Sequence, residues 1–238
     1  MFSSYLKRGG VAGLAGGLIF GAYTGFIIGP LITVAETFEQ SHELRSHGTS
    51  FITSVTTTTT SITAGILWGI FLGVLVFGVI YFFIEPLLPG VEGIKSYVIA
   101  GGGLLSLSGA PWLILPPQPP GADQSLPTDI RIIIYIVMIV VGVVTFGLSI
   151  SAWRRLDNRL KYLGAALPIV ILVFISITTS VNPITTSLPT SFVALFQAIV
   201  TTGQLILWSV TAIVHAKLTQ KVKTQINESA DKDRAMGT

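Results

Sequence analysis

Hydrophobic residues in this chain are gathered into six long blocks that contain no Asp, Glu, Lys, Arg or His. A helix needs about 20 apolar residues to cross the hydrocarbon core of a bilayer. Backbone groups in lipid must satisfy one another, which a helix achieves within a single segment. The pattern therefore predicts an all-α membrane bundle with six transmembrane helices, over residues 9–35, 53–84, 96–115, 132–152, 162–180 and 192–214.

Basic residues are distributed unevenly between the connectors of these blocks. With the N-terminus inside, twelve of the 14 Lys and Arg residues fall on the inner side, and Arg45 and Arg131 fall outside. Cytoplasmic connectors of membrane proteins carry such an excess of positive charge. The pattern predicts a multi-pass plasma-membrane protein in contact with lipid, with both termini in the cytoplasm. Residues 1–216 would form the transmembrane domain and residues 217–238 a polar cytoplasmic tail.

Glycines recur at every fourth position in the first block, at 9, 13, 17, 21, 25 and 29, and in the second at 65, 69 and 73. Small residues at this spacing let helix backbones approach closely in lipid. The spacing predicts that the first two helices pack along these glycines; a seam that slides during a conformational change is the alternative. Gly29 is followed by Pro30, where a kink is expected.

Polar patterns mark the outer helix ends. Residues 49–63 are rich in Thr and Ser, which we interpret as a helix end whose hydroxyls bond back to carbonyls; a ligand-facing stripe is the alternative. The tetrapeptide Ser-Leu-Pro-Thr occurs at 125–128 and 187–190, each time before a helix that enters from outside. We interpret it as helix-start chemistry. The proline-rich connector at 115–121 predicts an extended segment.

Composition and charge exclude several classes of function. Charged residues make up 11% of the chain, against about 25% in soluble domains. There is no cysteine, and the basic residues form no patch that would suit nucleic acid. Acid, base and nucleophile candidates do not converge, so we predict that the chain is not an enzyme and holds no covalently bound cofactor. The charge-free blocks disfavour a self-sufficient proton-coupled transporter, and His215 is predicted to lie at the inner interface.

Residue types that commonly bind metal ions cluster just beyond the first block. If the helix continues past Pro30, the side chains of Glu36, Glu39, Glu43 and His47 lie within about 80° of arc around its axis. Arg45 then points the opposite way. Imidazole together with carboxylate suits divalent first-row metals. The alternative is a solvated acidic helix face. The metal-site prediction comprises Glu36, Glu39, His42, Glu43 and His47.

Three groups of residues resemble the CbtA family, whose members are proposed cobalt transporter subunits linked to cobalamin biosynthesis. The resemblance extends over nearly the whole chain, to about residue 217. It rests on the Gly-Pro-Leu-Ile sequence at 29–32, on Pro116, Gln118, Pro119, Pro120 and Arg131, and on Val181, Asn182, Leu188, Pro189, Phe196, Gln204 and Trp208.

The resemblance implies a role in cobalt import beside a small, single-span, His-rich partner subunit of the CbtB type. Our prediction from the sequence is a membrane subunit of a divalent-metal uptake system, with cobalt as the transported cation, which captures the ion on the outer face. A structural or assembly subunit of a larger membrane complex, without transport activity of its own, is the alternative. The charge-free blocks favour this alternative, and the ligand cluster favours transport.

Overall fold

A computed structural model of the chain describes residues 2–40, 51–120, 122–178, 184–186 and 188–236. Within these residues, six helices are long and apolar enough to cross a membrane, which confirms the predicted all-α bundle of six spans. We number them α1 to α6. Following the predicted orientation, the end of the bundle that carries Glu36 is called outer, and the end that carries the start of α1 is called inner.

Three of the helices change their winding along their length. α1 comprises α-helical Phe2–Tyr23, a π-helical turn Thr24–Ile28 and α-helical Gly29–Gln40. α2 comprises Phe51–Leu72, π-helical Gly73–Ile80 and Tyr81–Ile84, and a 3₁₀ turn Glu85–Leu87 follows it. α3 comprises Glu92–Leu104, π-helical Leu105–Gly109 and Ala110–Ile114. The remaining helices are α4 at Thr128–Arg155, α5 at Leu160–Thr178 and α6 at Thr190–Met236.

The helices divide into a packed core and a peripheral pair. α1 packs between α2 and α6, and α6 packs on α3. Side chains of α2, α3 and α6 form the buried apolar cluster, which includes Phe77, Tyr81, Ile99, Leu207 and Trp208. α4 joins this core through the outer half of α3, and α5 packs mainly on α4. Large aliphatic side chains cover the exposed surfaces of α4 and α5, as expected for helices bathed in lipid.

The predicted glycine packing between the first two helices is confirmed. Gly13 lies against Gly69, and Gly17 lies against Gly65, in an antiparallel arrangement that Gly9 and Gly73 continue toward the inner end. A Cβ atom added at Gly17 would lie 2.9 Å from the Cα of Gly69. Side chains cannot fit between backbones at this distance, so glycine is required along the contact. The alternative of a sliding seam stays open.

Proline explains two of the three π-helical turns. Pro30 and Pro111 lack an N–H and crowd the carbonyl four residues earlier, and each follows a π-helical turn closely. The interruption expected at Gly29 and Pro30 therefore takes the form of a π-helical turn. At Pro111 the released carbonyl belongs to Leu107, and it accepts a hydrogen bond from the hydroxyl of Tyr135 on α4 at 2.8 Å. This bond ties α4 to α3.

The repeated tetrapeptide begins helices, as predicted. α4 begins at Thr128 and α6 at Thr190, the last residue of each copy. The prolines just before them accept early hydrogen bonds of the two helices. The carbonyl of Pro127 accepts from the N–H of Arg131, and the carbonyl of Pro189 accepts from the N–H of Val193. Shortly before each copy lies a two-residue strand, β1 at Asp123–Gln124 and β2 at Ile184–Thr185, and the two strands pair antiparallel. The pairing joins two outer connectors.

Other predicted segments have mixed outcomes. The described part of the proline-rich connector, residues 115–120, is non-helical, as predicted. In the Thr-rich segment, Thr63 donates to the carbonyl of Thr59 at 2.9 Å, which confirms the back-bonding there. α6 continues as one helix to Met236, past the predicted boundary at 216/217, and Gly93 near the start of α3 contacts Gln220. The division into domain and tail stays a prediction.

Candidate functional site

The predicted outer metal ligands fall at the edge of the described chain. Glu36 is exposed near the outer end of α1, and Glu39 belongs to the same helical segment. His42, Glu43 and His47 lie outside the described residues. Among the residues that are described, no three His, Cys, Asp or Glu side chains come together to hold a metal ion. The five-residue cluster therefore stays a prediction.

Outer connectors also enclose a pocket, whose charge is wrong for a metal cation. Its volume is about 320 Å³, and Gln118, Arg131 and Tyr135 contribute to its lining. The guanidinium of Arg131 donates from Nη2 to the hydroxyl of Thr128 at 2.9 Å, while its Nε has no hydrogen-bond partner among the described residues. A positive charge in the wall repels a divalent cation, so we assign no metal to this pocket.

A buried polar cluster lies toward the inner end, centred on His215 of α6. Both His215 and Ser96 of α3 are 0% exposed. A hydrogen bond of 2.9 Å joins the Ser96 hydroxyl to Nδ1 of His215. The buried residues of α6 recur at helical spacing, with Trp208, Thr211, His215 and Thr219 on one face. This periodicity turns the imidazole toward α2 and α3.

Aromatic rings of α2 enclose the imidazole. The ring of Tyr81 packs edge-on at 4.8 Å between centroids, and the ring of Phe77 lies at 5.2 Å. Three buried polar atoms of this cluster have no hydrogen-bond partner among the described residues: Nε2 of His215, the hydroxyl of Tyr81 and Oγ1 of Thr219. An unpaired buried polar group costs about 1–3 kcal/mol, so these atoms are expected to bind a water molecule or another group inside the bundle.

Charged side chains flank the cluster on its inner side. The hydroxyl of Tyr5 in α1 donates to Oε2 of Glu85 at 2.6 Å, and the guanidinium of Arg8 lies 4.3 Å from the centre of the Tyr5 ring. Tyr5 in turn lies against Tyr81, with 6.1 Å between the ring centroids. Polar groups thus extend from the start of α1 to His215 in the interior.

One prediction from the sequence is corrected here. The helices extend beyond the charge-free blocks, so that Arg8, Glu85 and His215 belong to helices long enough to cross a membrane. His215 is fully buried between helices and does not end its helix, so its predicted interfacial position was wrong. Helical spacing places His215 on the same face as Trp208 and Thr211, but the sequence does not show which helices cover that face. If the imidazole carries its proton on Nδ1 and donates it to Ser96, Nε2 presents a lone pair that can bind a metal ion.

The chain matches the family model described as "Probable cobalt transporter subunit (CbtA)" over residues 2–220. The matched region takes in the start of α1 and continues into α6 beyond His215. No curated protein and no solved structure was found to match the chain.

Proposed function

The chain belongs to the CbtA family, and from this premise we propose that it is the membrane-spanning subunit of a divalent-metal uptake system that imports cobalt. It is a multi-pass plasma-membrane protein whose family is described as probable cobalt transporter subunits. The observation that carries the proposal is the match over residues 2–220, which covers most of the chain. We assign no catalytic step and no bound cofactor to the chain; cobalt is its cargo.

The proposed capture site for the ion is the outer segment that follows α1. Its ligands are three carboxylates and two imidazoles, a set that suits borderline first-row ions such as cobalt better than magnesium. The helical segment Gly29–Gln40 and the exposed carboxylate of Glu36 support this placement. The proposed ligands are Glu36, Glu39, His42, Glu43 and His47.

Removing His42 and His47 together should weaken cobalt binding to the purified protein by at least about tenfold, since even the loss of an outer-shell partner costs about 10–100-fold. A histidine must be neutral to coordinate a metal. Binding to the natural chain should therefore weaken as the pH falls below about 6.5, the usual pKa of imidazole. The double His→Ala variant should lose most of this pH dependence. Isothermal titration with cobalt across this pH range measures both effects.

Arg45→Ala is the matched control, because Arg45 lies in the same segment and is predicted to point away from the ligand face. It should bind cobalt as the natural chain does. Equal affinity in the natural chain and in the double His variant would make the segment a solvated acidic face. The assembly-subunit alternative would then be favoured.

The proposed orientation places both termini in the cytoplasm, because the inner connectors hold twelve of the 14 basic residues. Epitope tags inserted after residue 2 and at residue 238 should both be protected from antibody in intact cells and become accessible after permeabilisation. Labelling of either tag in intact cells would contradict this topology. A tag in the outer connector near residue 122 is the positive control.

Inside the bundle, we place a second contact for the ion at His215. Two observations support this placement. Nδ1 of His215 is hydrogen-bonded to Ser96, and Nε2 is buried without a hydrogen-bond partner among the described residues. One imidazole with hydroxyl neighbours is a weak site, which suits an ion in transit better than one that is stored. The family description as a subunit implies a partner, and we propose a single-span, His-rich protein of the CbtB type. Cobalt uptake with and without that partner tests the assignment.

A further inference from the structure

An apolar groove opens on the inner half of the bundle between α2, α3 and α4. α4 contacts α3 chiefly through the segments Leu105–Gly109 and Ala110–Ile114, and the two helices separate toward the inner end. The space between them is a cavity of about 410 Å³. Its walls are almost entirely aliphatic and aromatic, with Ile84 and Leu88 on one side and Phe146 on the other. Within a membrane such a groove is filled by an apolar group.

One end of the groove carries a positive charge. Arg154 lies in the last turn of α4 and lines the cavity together with Ser151. The side chain of Arg154 is exposed. Basic pockets between transmembrane helices on the cytoplasmic side bind anionic lipid headgroups. The groove therefore combines an apolar channel with a cation at the level where lipid headgroups begin.

The size of the groove is compared with two kinds of apolar occupant, a partner helix and a lipid chain. An α-helix of about 10–12 Å diameter occupies roughly 80–110 Å³ for each Å of its length. A cavity of 410 Å³ corresponds to about one turn of such a helix, so a partner helix would lie mostly outside the groove. An acyl chain is thin and flexible, and it can follow a narrow cavity between helices. Volume and charge together favour a lipid.

We propose that this groove is a binding site for an anionic phospholipid of the inner leaflet. An acyl chain lies between α3 and α4, and the phosphate contacts the guanidinium of Arg154. The lipid fills the gap that the separating helices leave, and it links the peripheral pair α4 and α5 to the core. This site does not depend on the identity of the transported ion.

Glycines on the two helices provide a matched pair of variants for testing the groove. A Cβ added at Gly147 or at Gly101 would meet no atom within 4 Å, so a larger side chain at either position starts in open space. Gly147 lines the cavity and Gly101 does not. Gly147→Leu should fill the groove, whereas Gly101→Leu should leave it open. Arg154→Gln and Arg155→Gln form a second pair, because Arg154 lines the cavity and Arg155 does not.

The experiment is native mass spectrometry of the full-length protein in detergent, titrated with phosphatidylglycerol or with phosphatidylcholine of the same acyl chains. The natural chain should retain phosphatidylglycerol preferentially. Arg154→Gln should reduce that preference by about fivefold, the effect of one basic side chain near an anionic membrane surface, and Arg155→Gln should change it little. Gly147→Leu should reduce the binding of both lipids, while Gly101→Leu binds as the natural chain does. Inorganic phosphate should not compete.

Unchanged lipid binding by Gly147→Leu would overturn the proposal. Equal effects of Arg154→Gln and Arg155→Gln would also overturn it, because they would indicate a general surface attraction. Competition by inorganic phosphate would indicate that Arg154 binds free phosphate, which would overturn the assignment of a lipid headgroup. Retention of a co-purifying helical protein that Gly147→Leu displaces, without lipid, would assign the groove to a partner.

Discussion

Replacing Gly17 or Gly69 by leucine is expected to eliminate most of the folded protein. These two glycines face each other where α1 crosses α2, and a Cβ at either position would overlap with the backbone of the opposite helix. Overpacked cores usually cost about 1–3 kcal/mol because side chains can move aside. Here the obstacle is backbone on both sides, so the helices must separate along their whole contact. We expect a cost at or above the upper end of that range, or about a hundredfold in the folding equilibrium.

Fluorescence-detected size-exclusion chromatography of tagged variants measures this loss as a reduced monodisperse peak at equal expression. Gly101→Leu is the control, since a Cβ added there would meet no atom within 4 Å. It should elute as the natural chain does. If Gly17→Leu and Gly69→Leu give peaks equal to that of Gly101→Leu, the two helices do not pack along these glycines.

The α1–α2 packing could be predicted because its cause is local and periodic. A glycine at every fourth residue marks one face of a helix, and two such helices adjacent in the sequence are natural partners. The sequence does not show where this packing stops. Gly25 still faces Thr58 on α2, whereas the one neighbour of Gly29 among the described residues is a carbonyl of its own helix. Pro30 and the π-helical turn before it change the helix geometry at that point.

Burial of His215 could not be predicted by the same means. Its environment consists of Ser96 from α3 and of Phe77 and Tyr81 from α2, which lie more than a hundred residues away in the sequence. Dividing the chain at charged residues also ended the last helix too early, because α6 continues past His215 to Met236.

The predicted outer ligand cluster is described by the structure only in part. The prediction requires that α1 continues beyond Pro30, and α1 does continue as Gly29–Gln40. His42, Glu43 and His47 lie outside the described residues, so the convergence of the ligands stays a prediction. Helical spacing fixes only the angular relation of residues within one helix, and it cannot show whether that helix persists.

Cells without this chain are expected to lose cobalt import, which is the second large effect. The chain belongs to the CbtA family over residues 2–220, and in the proposed function it is the route for the ion. The His42/His47 double alanine variant should import less cobalt at limiting concentrations, since capture outside would be weakened. His215→Ala should reduce import at all concentrations, because a contact within the bundle would be lost. Arg45→Ala should behave as the natural chain does.

The most direct measurement is the accumulation of radioactive cobalt by cells of a host without cobalt import of its own, with and without this chain, each in the presence and absence of the single-span partner. Membrane levels of every variant are checked by immunoblot. The account predicts that cobalt accumulates only when the chain is present, and that the partner increases it. Equal accumulation in cells with and without the chain, at confirmed membrane levels, would contradict it.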